Sequence, residues 1–241
     1  MNEESESATE DADTLTMTVE MYGVLHRHPW IAQVSADHDL DEDVYSLVVK
    51  RAAAYGWSST HLSPGQALGG RRWDHAGAGG DWSQDGAVRQ LARLTVHPAM
   101  DLPAQHLPVL PMTQVLMDAL HRIGEVRFTA LRSRVPVTLA PDTGFDLRGD
   151  ADWFALSDPA ARTDITLGVS PPPPVAAEQL AVQVARLSQG HVRLSPSPSS
   201  LPLQGTAPEW TPQAAAWITE IVIDALRANG MHTDAEITVT G

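Results

Sequence analysis

Three groups of side chains in this 241-residue chain could do chemistry. His26-Arg27-His28-Pro29-Trp30 sets two imidazoles at i and i+2, a spacing that turns both to one side of a strand and suits a shared metal ion. The acids that follow begin only at Asp37, no His-Glu-x-x-His occurs, and Pro29 marks the end of the strand. Exposed strand-end histidines are therefore the simpler reading, and no metal or cofactor is expected. His61, followed by Leu62 and Ser63, is a titratable imidazole of the type that general acid–base catalysis uses. It is the residue expected to be catalytic if the chain is an enzyme. The glycine-rich stretch 63–86 reads as a disordered loop or, as the alternative, a functional lid, in which Trp73 and His75 offer a stacking surface and a titratable ring and are the expected ligand-binding residues.

Other patterns resolve into structure. Asp37-His38-Asp39-Leu40-Asp41-Glu42-Asp43 alternates acids like a calcium loop, but an EF-hand needs Gly and Glu where Glu42 and Val48 stand. Acids just before a helix favour its dipole, which accounts for the cluster better. Gly77-Ala78-Gly79-Gly80 lacks the following helix that would make it an anion cradle. No Gly-x-Ser-x-Gly elbow, Walker loop or Rossmann fingerprint occurs. The absence of cysteine removes thiol nucleophiles, disulfides and cysteine-bound zinc.

Charge narrows the partners. Thirty acidic and sixteen basic residues give a net charge of −14. Six of the acids fall in residues 1–13, which read as a disordered acidic tail. Lys50 is the sole lysine beside fifteen arginines, and no basic stripe with interleaved aromatics appears. Nucleic acid is therefore not an expected partner. No apolar run approaches the ~20 residues that span a bilayer, so no membrane partner is expected and the compartment reads as cytoplasmic.

The elements that must position these side chains are legible by period. Apolar stripes at helical spacing run through 40–55, 112–123, 174–188 and 212–229. The last opens with Thr211 as cap and Pro212 as first residue, and it closes at Asn229-Gly230. Period-2 alternation predicts strands at 14–21, 126–131, 164–169, 191–194 and 236–240, with weaker signals at 57–62, 91–96 and 201–203. In chain order this is βαββαβ twice. The expected fold is thus α+β, with two tandem ferredoxin-like lobes at 14–134 and 163–241 joined by a connector at 135–162 that Phe145, Trp153 and Phe154 would order. Echoes between the halves, Leu62-Ser63-Pro64 with Leu194-Ser195-Pro196 and Asp118-Ala119-Leu120 with Asp224-Ala225-Leu226, suggest duplication. Helices on one side of such sheets leave the other face for pairing, face to face or edge to edge.

In a duplicated ferredoxin-like frame, His61-Leu62-Ser63 is similar to one of the two His-x-Thr/Ser motifs of the 2H phosphoesterases, whose two lobes each supply one such motif as acid and base. His191-Val192-Arg193 and His232-Thr233-Asp234 depart from that motif in the second half, so the acid–base pair is incomplete. Dimeric α+β-barrel monooxygenases and isomerases offer a comparison by architecture only, with Trp30, Trp57, His61, His97 and Trp217 as cleft candidates. The expectation is a non-catalytic protein-binding or assembly module, engaging a protein partner or itself. The alternative is a small-molecule enzyme with a cleft between the lobes, phosphoesterase-like or monooxygenase/isomerase-like.

Overall fold

The computed structural model describes residues 16–31, 33, 44–54, 73–80, 86–98, 109–137, 154, 157–158, 160–195 and 201–241. Its elements run β1 (Met17–Arg27), α1 (Val44–Ala54), β2 (Trp73–Gly79), β3 (Arg89–Pro98), α2 (Val109–His121) and β4 (Gly124–Pro136). A second series follows: β5 (Thr163–Ser170), α3 (Ala177–Leu187), β6 (Arg193–Ser195), β7 (Leu203–Ala207), α4 (Pro212–Ala228) and β8 (Asp234–Thr240). The architecture is mixed α+β. All eight strands join one antiparallel sheet in the order β2-β3-β1-β4-β8-β5-β7-β6. The first four strands in that list belong to the first half of the chain and the last four to the second. They meet edge to edge where β4 pairs with β8, from Ala130 opposite Thr240 to Pro136 opposite Asp234.

Alternation along each strand sorts side chains between two faces. Met17, Val19 and Met21 of β1, Leu131 and Val135 of β4, Ile165 and Leu167 of β5, and Ile237 and Val239 of β8 turn into a buried core. The helices cover that side: α1 packs on α2, α2 on α4, and α4 on α3, a row that follows the order of the strands beneath. Polar contacts across the α2–α4 seam fasten the halves. The Glu220 carboxylate on α4 accepts from the backbone N–H of Leu110, in the first turn of α2, and Gln213 donates to Gln114. Within the connector, Phe154 is buried with its ring 4.2 Å from that of Trp217 on α4.

The local chemistry of α4 follows its sequence. Thr211 Oγ1 accepts from the N–H of Ala214, Pro212 opens the helix, and Asn229 closes it ahead of Gly230, whose φ of +80° suits a residue without Cβ. The first half is less regular. Both neighbours of β1 slip by one residue around Tyr22, where β3 and β4 each carry a bulge. Gly23 sits at this point because a Cβ there would run into the Arg127 carbonyl.

One strand stands where a loop is expected. The strand that pairs with β3 in the first half is Trp73–Gly79, whereas 57–62 lies outside the described residues. Trp73 and His75 therefore stand on a strand and not on a loop. The connection through 80–88 is short enough for consecutive strands to fold back as an antiparallel pair, and backbone hydrogen bonding to β3 overrides the weak strand preference of Gly and Ala.

Candidate functional site

The face of the sheet away from the helices is where the described residues bring unlike chemistry together. Its side chains fall into cross-strand rows fixed by register. One row runs Arg93, Glu20, Arg132, Thr238 and Gly168 across β3, β1, β4, β8 and β5. Another runs Thr95, Thr18, Arg134, Glu236 and Ser170. A third runs Gln90, Tyr22, Ala130, Thr240, Thr166 and Gln204. All of these residues are half-buried or exposed.

A charged network occupies the centre. The Tyr22 hydroxyl donates to Glu20 Oε2 at 2.8 Å, and the Arg132 guanidinium lies 5.2 Å from the centre of the Tyr22 ring. Arg132 reaches Glu20 at 3.6 Å on one side and Glu236 at 3.7 Å on the other, while Arg134 reaches Glu236 at 3.4 Å. Two carboxylates and two guanidiniums thus balance. Arg134 is 68% exposed and Arg132 42%, so solvent screens these pairs and each contributes at most about 1 kcal/mol.

Burial pushes the Tyr22 phenol up to about 12, reinforced by its hydrogen bond to Glu20 and by that carboxylate's charge; Arg132 pulls the other way and Glu236 adds to the rise. Tyr22 is therefore a neutral hydrogen-bond donor at physiological pH and not a base. Flanking hydroxyls complete the surface: Thr18 and Thr95 lie 3.0 Å apart across β1 and β3, and Thr166 donates to Gln204. Such an arrangement can hydrogen-bond and pair charges with a polar surface laid against it.

The residues singled out from the sequence do not converge here. His61 lies outside the described residues, as do Leu62, Ser63 and the acids at 37–43. Trp73 and His75 are opposite Pro98 and Val96 on edge strand β2. His26 is on β1 opposite Glu125, while His28 lies past the strand end, stacked at 5.5 Å on Trp30, with Nε2 3.4 Å from the His121 carbonyl oxygen. Among the described residues no group of three or more His, Asp or Glu side chains is placed to hold a metal ion. No helix among them is long and apolar enough to cross a membrane.

Sequence reasoning missed Glu20, Tyr22, Arg132, Arg134 and Glu236. The signal was present in part: Thr18, Glu20 and Tyr22 are the polar positions of an alternating strand, and such positions mark an open sheet face. Comparison with known proteins adds no family to this geometry: no family model, no curated protein and no solved structure matches the chain.

Proposed function

We propose that this chain is a non-catalytic protein-binding or assembly module of two tandem ferredoxin-like lobes, and that the open face of its sheet is the surface that engages a protein partner. The lobe reading draws support from the element order and from the strand order, which is the same in each half when counted outward from the β4–β8 seam. The observation that carries the functional reading is the network Glu20–Tyr22–Arg132–Glu236–Arg134. It spans strands from both halves and presents donors and acceptors on an accessible, charge-balanced surface. A nucleic-acid backbone would meet an acidic protein there, with a net charge of −14, so a polypeptide surface is the better complement. The proposed compartment is the cytoplasm.

Capture of the tagged chain from its native host tests this. Wild-type protein should retain one stoichiometric polypeptide, a second copy included. Arg132→Glu and Arg134→Glu variants should lose it, and an Arg186→Glu variant on α3 should keep it. Recovery of a bound metabolite without any polypeptide would instead favour an enzyme or carrier and overturn the assembly reading.

A further inference from the structure

Resting on the assembly reading, we propose that the partner of the open face is a second copy of this chain, placed so that the charged half of one face covers the hydroxyl half of the other. The two halves differ in height. Across β3, β1 and β4 stand Arg93, Glu20, Tyr22, Arg132 and Arg134, long side chains that rise from the sheet. Across β8, β5 and β7 the positions Thr238, Thr240, Thr166, Gly168 and Thr206 are short and leave a low area, around which stand Glu236, Asp164 and Gln204. A ridge and a hollow therefore lie side by side on one surface.

One symmetry operation sets each ridge in the opposite hollow: a twofold axis parallel to the strands, over the β4–β8 seam. It lays β1 of one copy over β5 of its partner and β4 over the partner's β8. Because this rotation preserves the level along the strands, the register rows carry over directly. Glu20 then faces the partner's Gly168, the one position in its row without a side chain, and Tyr22 faces the partner's Thr166. Arg134 faces the partner's Glu236, to which its own copy already presents an equivalent pair, so four charges of alternating sign meet near the axis. Such an interface is isologous and makes each of these contacts twice.

The size is adequate. At ~4.8 Å between strands and ~3.3 Å per residue, eight strands over about five residues give a planar footprint of about 650 Å². A standard stable interface covers ~800 Å² of accessible surface per partner, and accessible surface exceeds planar footprint. Stacked twisted sheets keep their strands within ~30°, which this axis allows.

Sedimentation equilibrium of the full chain is the test. Wild type should show a mass of about 52 kDa, twice the 26.0 kDa chain. Thr238→Arg fills the hollow at the axis and adds charge beside Arg132; it should weaken association by about tenfold or more. Thr166→Arg is a second, independent filling of the same hollow, and a matched thermal unfolding curve separates lost pairing from lost folding. Val182→Arg, on α3 and 69% exposed, should leave the mass unchanged. The cysteine-free sequence gives a clean background for the arrangement itself. A short bismaleimide should join Glu20→Cys protein to Gly168→Cys protein in a mixture, and neither alone. A cross-link within Glu20→Cys protein alone would overturn the arrangement. A monomeric wild type would overturn self-pairing. If that monomer still holds another polypeptide that Thr238→Arg releases, the assembly reading stands without this inference; if it holds none, both fall.

Discussion

The two halves of the sheet share an element order but differ in finish. In the second half, β5 pairs with β7 and β8 without a register slip, its open face carries short hydroxyls beside Glu236 and Gln204, and its principal helix α4 has a cap at each end. In the first half β1 is flanked by bulges, and its open face carries the arginines, glutamate and tyrosine of the charged network. The regular half also supports the irregular one, since Glu220 of α4 satisfies a backbone N–H at the start of α2. The lesson is a division of labour within one sheet: regular pairing and a well-capped helix supply rigidity, and the side of the seam with bulges displays most of the long polar side chains.

The largest expected effect probes whether the halves are one cooperative unit. Trp217 is 3% exposed on α4 and packs on Phe154. Trp217→Ala should cost about 3–5 kcal/mol in denaturant unfolding and shift a single transition. Two separate transitions would mean that the α2–α4 and β4–β8 seams do not couple the halves. Next comes the support that α4 gives α2. Glu220→Ala should cost about 1–2 kcal/mol, because it strips the partner from the Leu110 N–H, and hydrogen exchange should rise in the first turn of α2 more than in α4.

The network itself predicts a pH signature. Tyr22 has its phenol raised from 10.0 to about 12, so its neutral form is favoured by folding. That contribution is fully present below pH 10 and is lost as the pH rises through about 12. Replacing the carboxylate by Glu20→Gln should move the Tyr22 phenolate transition, followed by ultraviolet absorbance, toward the ordinary value. An unmoved transition would show that Glu20 is not a cause of the rise. The smallest effect concerns Ser133, whose Oγ is buried on β4 without a hydrogen-bond partner. Ser133→Ala should be neutral or stabilise by up to ~1 kcal/mol. A loss above that would show that the hydroxyl has a partner.

Legibility from sequence followed the locality of the signal. The helix α4 was readable because its cap, first proline, apolar stripe and terminal Asn-Gly all lie within one window, 211–230. The β7 signal was displaced, expected at 201–203 and found at Leu203–Ala207. Only Leu203 and Ala207 are buried in it, with Gly205 and Thr206 between. The strand β2 was hidden because Trp73-Asp74-His75-Ala76-Gly77-Ala78-Gly79 has almost no β-forming character of its own and owes its place to β3. Edge-to-edge joining was one of two expected pairings, and choosing it depended on β4 finding β8, a contact between residues about a hundred apart. The charged network was invisible for the same reason: β1–β4 pairing brings Glu20 beside Arg132, and the β4–β8 seam adds Glu236.

The most direct measurement is hydroxyl-radical footprinting of the full chain at dilute and at associating concentrations, read by mass spectrometry. Tyr22 and Arg132 should become protected on association while Val182, on the helix side, stays equally modified. Equal modification of Tyr22 and Arg132 under both conditions, with Val182 protected instead, would contradict the open sheet face as the assembly surface.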